Sequence, residues 1–232
     1  MNNIIKTFSD YSDWNLALHI WDDDNIVISN RQKLSSKLNK NLEDFIYIDQ
    51  IHSGDIKVVW EINKWSWTIS LSNALTCDWL VTNKKWIVLS VLVADCLPIL
   101  LYDEKNEIIW TTHAWWKWTN KNILKNTINK MLELWANIKN INIVIWPAIN
   151  QCSYEVWKEV GINFRDEIKT ELLNNKQYLD LKKENKLQAF ELWIKEDNIE
   201  IINIDTFSDK NYFSARRDWF KKGRFWGFIY IK

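Results

Sequence analysis

The chain is 232 residues long, with 30 Lys plus Arg balanced by 30 Asp plus Glu and a formal net charge of zero. That balance speaks against electrostatic binding of nucleic acid or of an anionic membrane surface, and the length suits one large domain with an ample core. The opening Met1-Asn2-Asn3-Ile4-Ile5-Lys6-Thr7 carries no apolar leader-like run, and no stretch reaches the roughly 18 apolar residues of a membrane span, so no membrane partner and a cytoplasmic location are expected.

The first predicted element is a helix over about 25–38, capped by Asp22-Asp23-Asp24, with Ile26, Val27, Leu34 and Leu38 as its apolar stripe. Short β-rich runs follow at 45–48, 56–59 and 80–81, then longer ones at 87–93, 99–102 and 108–112. The unbroken Ile87-Val88-Leu89 predicts a strand covered on both faces, and Asp103-Glu104-Lys105-Asn106 a hairpin turn. An amphipathic helix is predicted over 120–134, a buried strand over 141–145, helices over about 158–173 and 180–192, and strands near 199–204 and 228–231. Strands outnumber helices and hairpins mix with crossovers. The expected fold class is therefore α+β, mixed β-sheets flanked by helices, in a single domain over 1–232.

The composition is inverted in one respect: 17 Trp against 4 Gly, where glycine ordinarily makes up about 7% of a globular chain. Many of these tryptophans stand where backbone geometry calls for glycine. Trp135 and Trp193 each follow a predicted helix, at the position that takes a left-handed residue. Trp146-Pro147 closes a strand, and Trp14-Asn15 and Trp21-Asp22 read as turns only with glycine in the first place. A gene in which UGA is decoded as glycine would give this pattern when written with tryptophan.

Chemistry concentrates in His52, Cys96 and His113, two imidazoles and a thiol from a chain with 3 His and 3 Cys. Cys96 ends the apolar run through Ala94, and His113 ends the next strand, so the hairpin turn makes them neighbours in space. Two nitrogens and one sulfur are an open zinc-type ligand set, leaving a fourth position for water or substrate. Cys77 and Cys152 are read as structural, no Cys-x-x-Cys pair points to a disulfide framework, and His19, among apolar neighbours, is given no role.

With glycine read for Trp at the suspect positions, 113–119 becomes His-Ala-Gly-Trp-Lys-Gly-Thr and 146–149 becomes Gly-Pro-Ala-Ile. Together with Gln50-Ile51-His52, 77–82, Ala94-Asp95-Cys96-Leu97-Pro98, Tyr154-Glu155-Val156, 213–218 and Gly223-Arg224, the chain closely resembles the YfiH family over nearly its whole length. Its members are variously called laccase-domain proteins, polyphenol oxidases, purine nucleoside phosphorylases and peptidoglycan editing factors. The resemblance implies a mixed-sheet α+β fold shared with toxin deamidases, zinc on His52, Cys96 and His113, and phosphorolysis of adenosine, inosine or S-methyl-5′-thioadenosine, with adenosine deamination as a side activity. Trp115 and Trp118 depart from the family pattern as bulky residues beside the site, and Asp205-Thr206 stands where many relatives have Cys-Thr.

Phosphorolysis needs a cationic seat for phosphate, for which Arg31, Lys117, Arg216 and Arg217 are the candidates. Asp95 is a candidate to orient a ligand imidazole, or else to cap a nearby backbone turn. Three alternatives stand beside the zinc phosphorylase. Cys96 with His113 as base makes a Cys-His hydrolase or amidase, suited to editing peptidoglycan precursors. Copper substituting at a His2Cys site makes a polyphenol oxidase, although a multicopper centre needs about eight further imidazoles. A zinc-binding module without catalysis would require a fourth protein ligand, from Asp95 or Asp78.

Overall fold

The computed structural model describes residues 3–18, 20, 22–51, 55–64, 68–70, 74–171, 174–219 and 223–232. In chain order the elements begin with β1 (Ile4–Phe8), α1 (Asp24–Lys37), β2 (Phe45–Ile46), β3 (Ile48–Asp49), β4 (Ile56–Val58), β5 (Leu75–Thr76) and β6 (Trp79–Thr82). They continue with β7 (Val88–Val93), β8 (Leu97–Asp103), β9 (Ile108–Ala114), α2 (Trp116–Asn120), α3 (Ile123–Glu133), β10 (Ile141–Ile145) and β11 (Glu155–Trp157). The chain closes with α4 (Lys158–Gly161), β12 (Lys169–Glu171), β13 (Lys176–Leu179), α5 (Leu181–Glu191), β14 (Ile199–Ile201), α6 (Ala215–Asp218) and β15 (Phe225–Ile231).

Two sheets dominate, one of four strands ordered β1-β15-β7-β2 and one of six ordered β14-β10-β8-β9-β6-β4. Both are mixed and both are covered on two faces. Along β7, Leu89, Val91 and Val93 face the other sheet, while Val88 and Leu92 face α1 with Val27, Leu34, Phe45 and Tyr47. Along β8, Leu97, Ile99 and Leu101 pack under α3 and α5, and Leu100 turns back towards the first sheet. The period of two thus sorts side chains into four layers, helix, sheet, sheet, helix, and the α+β expectation with mixed sheets is met. Burial on both faces accounts for the near-continuous apolar runs of β7 and β10, each of which pairs antiparallel on one side and parallel on the other.

Asp23 caps α1, its side chain accepting from the Asn25 N–H, as the aspartate run predicted. The apolar stripe is narrower than expected: Ile26 is exposed, and Asn30, Arg31 and Ser35 are buried beside Val27 and Leu34. The predicted helix over 120–134 breaks at Asn122, which has φ 54°, into α2 and α3. The Asp103 carboxylate gathers the N–H groups of Lys105, Asn106 and Asn137, fixing the predicted β8–β9 turn.

The helix expected over 158–173 is wrong beyond Gly161. A three-stranded sheet ordered β11-β13-β12 takes its place, with Asn174 and Asn175 both left-handed, at φ 61° and 60°, between β12 and β13. Paired asparagines in that conformation favour a hairpin over a continued helix. At Gly161, the last residue of α4, a Cβ would overlap the buried Gln177 side chain, so glycine lets β13 pack close against the helix end. Strand β1, absent from the expectations, pairs with β15 along its full length.

Candidate functional site

The chain crosses from the four-stranded to the six-stranded sheet between β7 and β8, through Ala94-Asp95-Cys96. The reversal depends on Asp95, which has φ 82°. The Asp95 carboxylate accepts from Thr206 Oγ1 at 2.7 Å, Ser214 Oγ at 3.0 Å and the Arg216 N–H at 2.7 Å. Its carbonyl accepts from the Ile149 N–H at 3.0 Å. The carboxylate therefore anchors the first turn of α6, and the backbone-capping reading of Asp95 is the one its hydrogen bonds describe.

Cys96 sits at the lip of β8. The β8–β9 register sets Pro98 opposite His113 and Leu97 opposite Ala114, so Cys96 and His113 are two residues out of register, within the reach of diagonal cross-strand neighbours. His113 is buried, and on its other side the β6–β9 register, which pairs Trp79 with Thr112, brings up Asp78. The His113 Nδ1 lies 3.9 Å from the Asp78 Oδ1. The carboxylate beside the imidazole is thus Asp78 rather than Asp95; the sequence signal for it was the Cys77-Asp78 pair at the start of a strand. Cys77 is buried, as expected of a structural thiol, but Cys152 is exposed.

His52 and His19 lie outside the described residues. Among the described residues no three metal-binding side chains converge, so a metal held by Cys96 and His113 needs a further ligand from elsewhere. A thiol and an imidazole are donor types that suit zinc. Burial and the neighbouring Asp95 charge push the Cys96 thiol up to about 12, partly opposed by Arg224. A divalent cation is the kind of partner that turns such a thiol into a thiolate.

A cavity of about 540 Å³ opens over Cys96. Its walls are aromatic, from Trp115, Trp116, Tyr154, Trp157 and Trp219, and Arg216, Lys176 and Glu155 add charge. Lys176 Nζ donates to the Glu155 Oε1 at 2.8 Å. Arg216 Nη1 donates to the Glu155 carbonyl at 2.9 Å, and its guanidinium carbon lies 5.5 Å from the Tyr154 ring centre. The Tyr154 phenol is pushed up by burial and by the nearby Cys96 and Asp95. Tyr154, Lys176 and Arg224 received no role from the sequence, because their contribution depends on folding β11, β13 and β15 against the β7–β8 crossing.

Of the four cations proposed for phosphate, only Arg216 lines the cavity. Lys117 is exposed on α2 beside the Trp115 and Trp116 rings. Arg31 is fully buried away from the cavity lining, sandwiched against Tyr47 and Trp226, with Nε donating to the Leu16 carbonyl and Nη1 to that of Thr68. Burial lowers it to about 10, and its role is to tie α1 to the loops around it. Arg217 turns away from the cavity and donates to the carbonyls of Thr206, Phe207 and Tyr212 and to the Asp218 carboxylate. Arg217→Ala is accordingly expected to cost about 2–3 kcal/mol of stability, read as a lowered denaturation midpoint, with Michaelis constants unchanged.

Among the described residues no helix is long and apolar enough to cross a membrane. Residues 6–232 match the family model described as multi-copper polyphenol oxidoreductase laccase. The chain is 30% identical over 227 residues to the purine nucleoside phosphorylase YlmD of Bacillus subtilis, covering 94% of this chain and 82% of that protein. It is 29% identical over 231 residues to the adenosine deaminase RL5 of an unknown prokaryotic organism, covering 96% and 88%. The crystal structure of the Bacillus licheniformis hypothetical protein YfiH superposes with a TM-score of 0.95 at 28% identity, covering 100% of this chain and 94% of that one.

Proposed function

We propose, from the premise that this chain belongs to the YfiH family of laccase-domain proteins, that it is a zinc-dependent purine nucleoside phosphorylase acting in the cytoplasm. The observation that carries this reading is the cavity over Cys96, with Arg216 at its side and the Tyr154 and Trp116 rings in its wall. Its volume falls in the range of small-molecule sites. The Trp116 indole and the Tyr154 phenol, which remain when glycine stands at 115 and 219, suit a purine ring, and a guanidinium suits phosphate oxygens. Cys96 and His113, with His52, would hold the zinc, which when bound supplies Lewis-acid polarisation of an oxygen at its open position.

In the reaction the bond from C1′ to the purine nitrogen breaks and one from C1′ to a phosphate oxygen forms. The bonding pair leaves with the base, which takes up a proton. The work of this chain's own residues is to stack the base against Trp116 and Tyr154 and to seat the phosphate on Arg216. The metal-free alternative, with Cys96 as nucleophile and His113 as base, leaves the second imidazole, His52, without a task. A multicopper oxidase is disfavoured by the count of 3 His.

The deciding experiment incubates the zinc-loaded protein with adenosine, inosine or S-methyl-5′-thioadenosine, with and without phosphate. Free base and a ribose 1-phosphate product are expected only with phosphate. Base released without phosphate would make the protein a hydrolase, and inosine as the sole product from adenosine would make it a deaminase. Arg216→Ala is expected to raise the KM for phosphate about tenfold or more while leaving that for the nucleoside; an unchanged phosphate KM removes Arg216 from the seat.

A further inference from the structure

Ten described non-glycine residues have positive φ, and the residue types divide sharply. Asn39, Asn122, Asn174, Asn175 and Asp95 are of the kind that tolerates this region through short polar side chains, and Glu107 is a single exception. The other four are Trp14, Trp135, Trp193 and Trp219. For a bulky side chain this conformation is a genuine outlier.

Their settings are glycine settings. After α3 the Trp135 N–H bonds to the Leu132 carbonyl and the Ala136 N–H to that of Met131. After α5 the Trp193 N–H bonds to the Phe190 carbonyl and the Ile194 N–H to that of Ala189. Each is the paired closure that ends a helix on a left-handed residue, usually glycine. Trp219 ends α6 at φ 52°, ψ 42°. Trp14, at φ 60°, ψ −173°, lies in a region that is essentially glycine-only. Packing does not compensate: these side chains are 63%, 84%, 88% and 80% exposed for Trp14, Trp135, Trp193 and Trp219.

A second observation points the same way from the interior. The indole N–H groups of Trp110, Trp118, Trp146 and Trp226 are buried and meet no acceptor among the described residues, whereas a buried tryptophan ordinarily finds one. Glycine has neither the Cβ that is strained in the first group nor the donor that is stranded in the second.

We infer that the polypeptide made in its own cells carries glycine at positions 14, 135, 193 and 219, from a gene whose UGA codons are decoded as glycine. One of the four, Trp219, is a wall of the cavity, so the native site is wider on the α6 side. The inference does not depend on the activity proposed above.

The gene and the protein test it in turn. The four codons are expected to read UGA; UGG at these positions overturns the inference. Peptide mass spectrometry of protein isolated from its own cells is expected to give glycine at all four, and tryptophan there overturns it even if the codons are UGA. As a physical check, the recombinant chain with Trp14→Gly, Trp135→Gly, Trp193→Gly and Trp219→Gly is expected to melt about 10 °C above the chain carrying tryptophan. An equal or lower midpoint contradicts the argument from backbone strain.

Discussion

Cys96→Ala is expected to abolish zinc uptake and to lower kcat/KM for the nucleoside on the order of a thousandfold or more, since Lewis-acid stabilisation is worth several kcal/mol. The backbone at this position is held without the thiol. The Asp95 carbonyl is bound by the Ile149 N–H, its carboxylate by three donors, and the β8–β9 ladder starts at the next residue. Removing one sulfur at the cavity lip should therefore leave the fold intact, and an unchanged circular dichroism spectrum would separate lost chemistry from lost structure. Elemental analysis of protein purified without chelator provides the metal readout. A variant that keeps its zinc defeats the ligand assignment, and one that loses zinc but keeps full turnover defeats the zinc-dependent mechanism. Loss of turnover with zinc retained would return Cys96 to the role of nucleophile.

Legibility in the sequence followed how local each determinant was. The β8–β9 hairpin, whose register sets Pro98 opposite His113, could be read because Asp103 and the turn after it lie within a few residues of each other. The ends of α3 and α5 could be read because a left-handed closure is a local requirement, even when the residue written there is tryptophan. The segment after Gly161 could not, because its apolar spacing suits a helix and only the pairing of β13 with both β11 and β12 decides otherwise. The arginines divide on the same ground. Arg31 and Arg217 look like free cations in a string of letters, yet both are spent on backbone carbonyls that tertiary structure delivers. Asp78 was legible only as a possible fourth ligand; its place beside His113 required the β6–β9 register.

Asp95→Ala is expected to be the most destabilising single change at the site, by about 3–5 kcal/mol. The carboxylate is buried and accepts from two hydroxyls and one backbone N–H, and an alanine strands all three donors. Alanine also inherits the left-handed backbone, at φ 82°, which it tolerates less well than aspartate. The two contributions can be separated by substitution. Asp95→Gly loses the same acceptor but relieves the strain, so it should recover about 1 kcal/mol relative to alanine. Asp95→Asn retains the conformation and one acceptor oxygen while placing an amide donor among donors, and should fall nearest the native protein. The ordering expected in chemical denaturation is therefore aspartate, asparagine, glycine, alanine. Because the Arg216 N–H is one of the three donors, the glycine and alanine variants should also show a raised phosphate KM, as the first turn of α6 drifts from the cavity. An alanine variant within 1 kcal/mol of the native protein would mean that the β7–β8 crossing is held by its sheets alone, and that the carboxylate is free to serve the ligands instead.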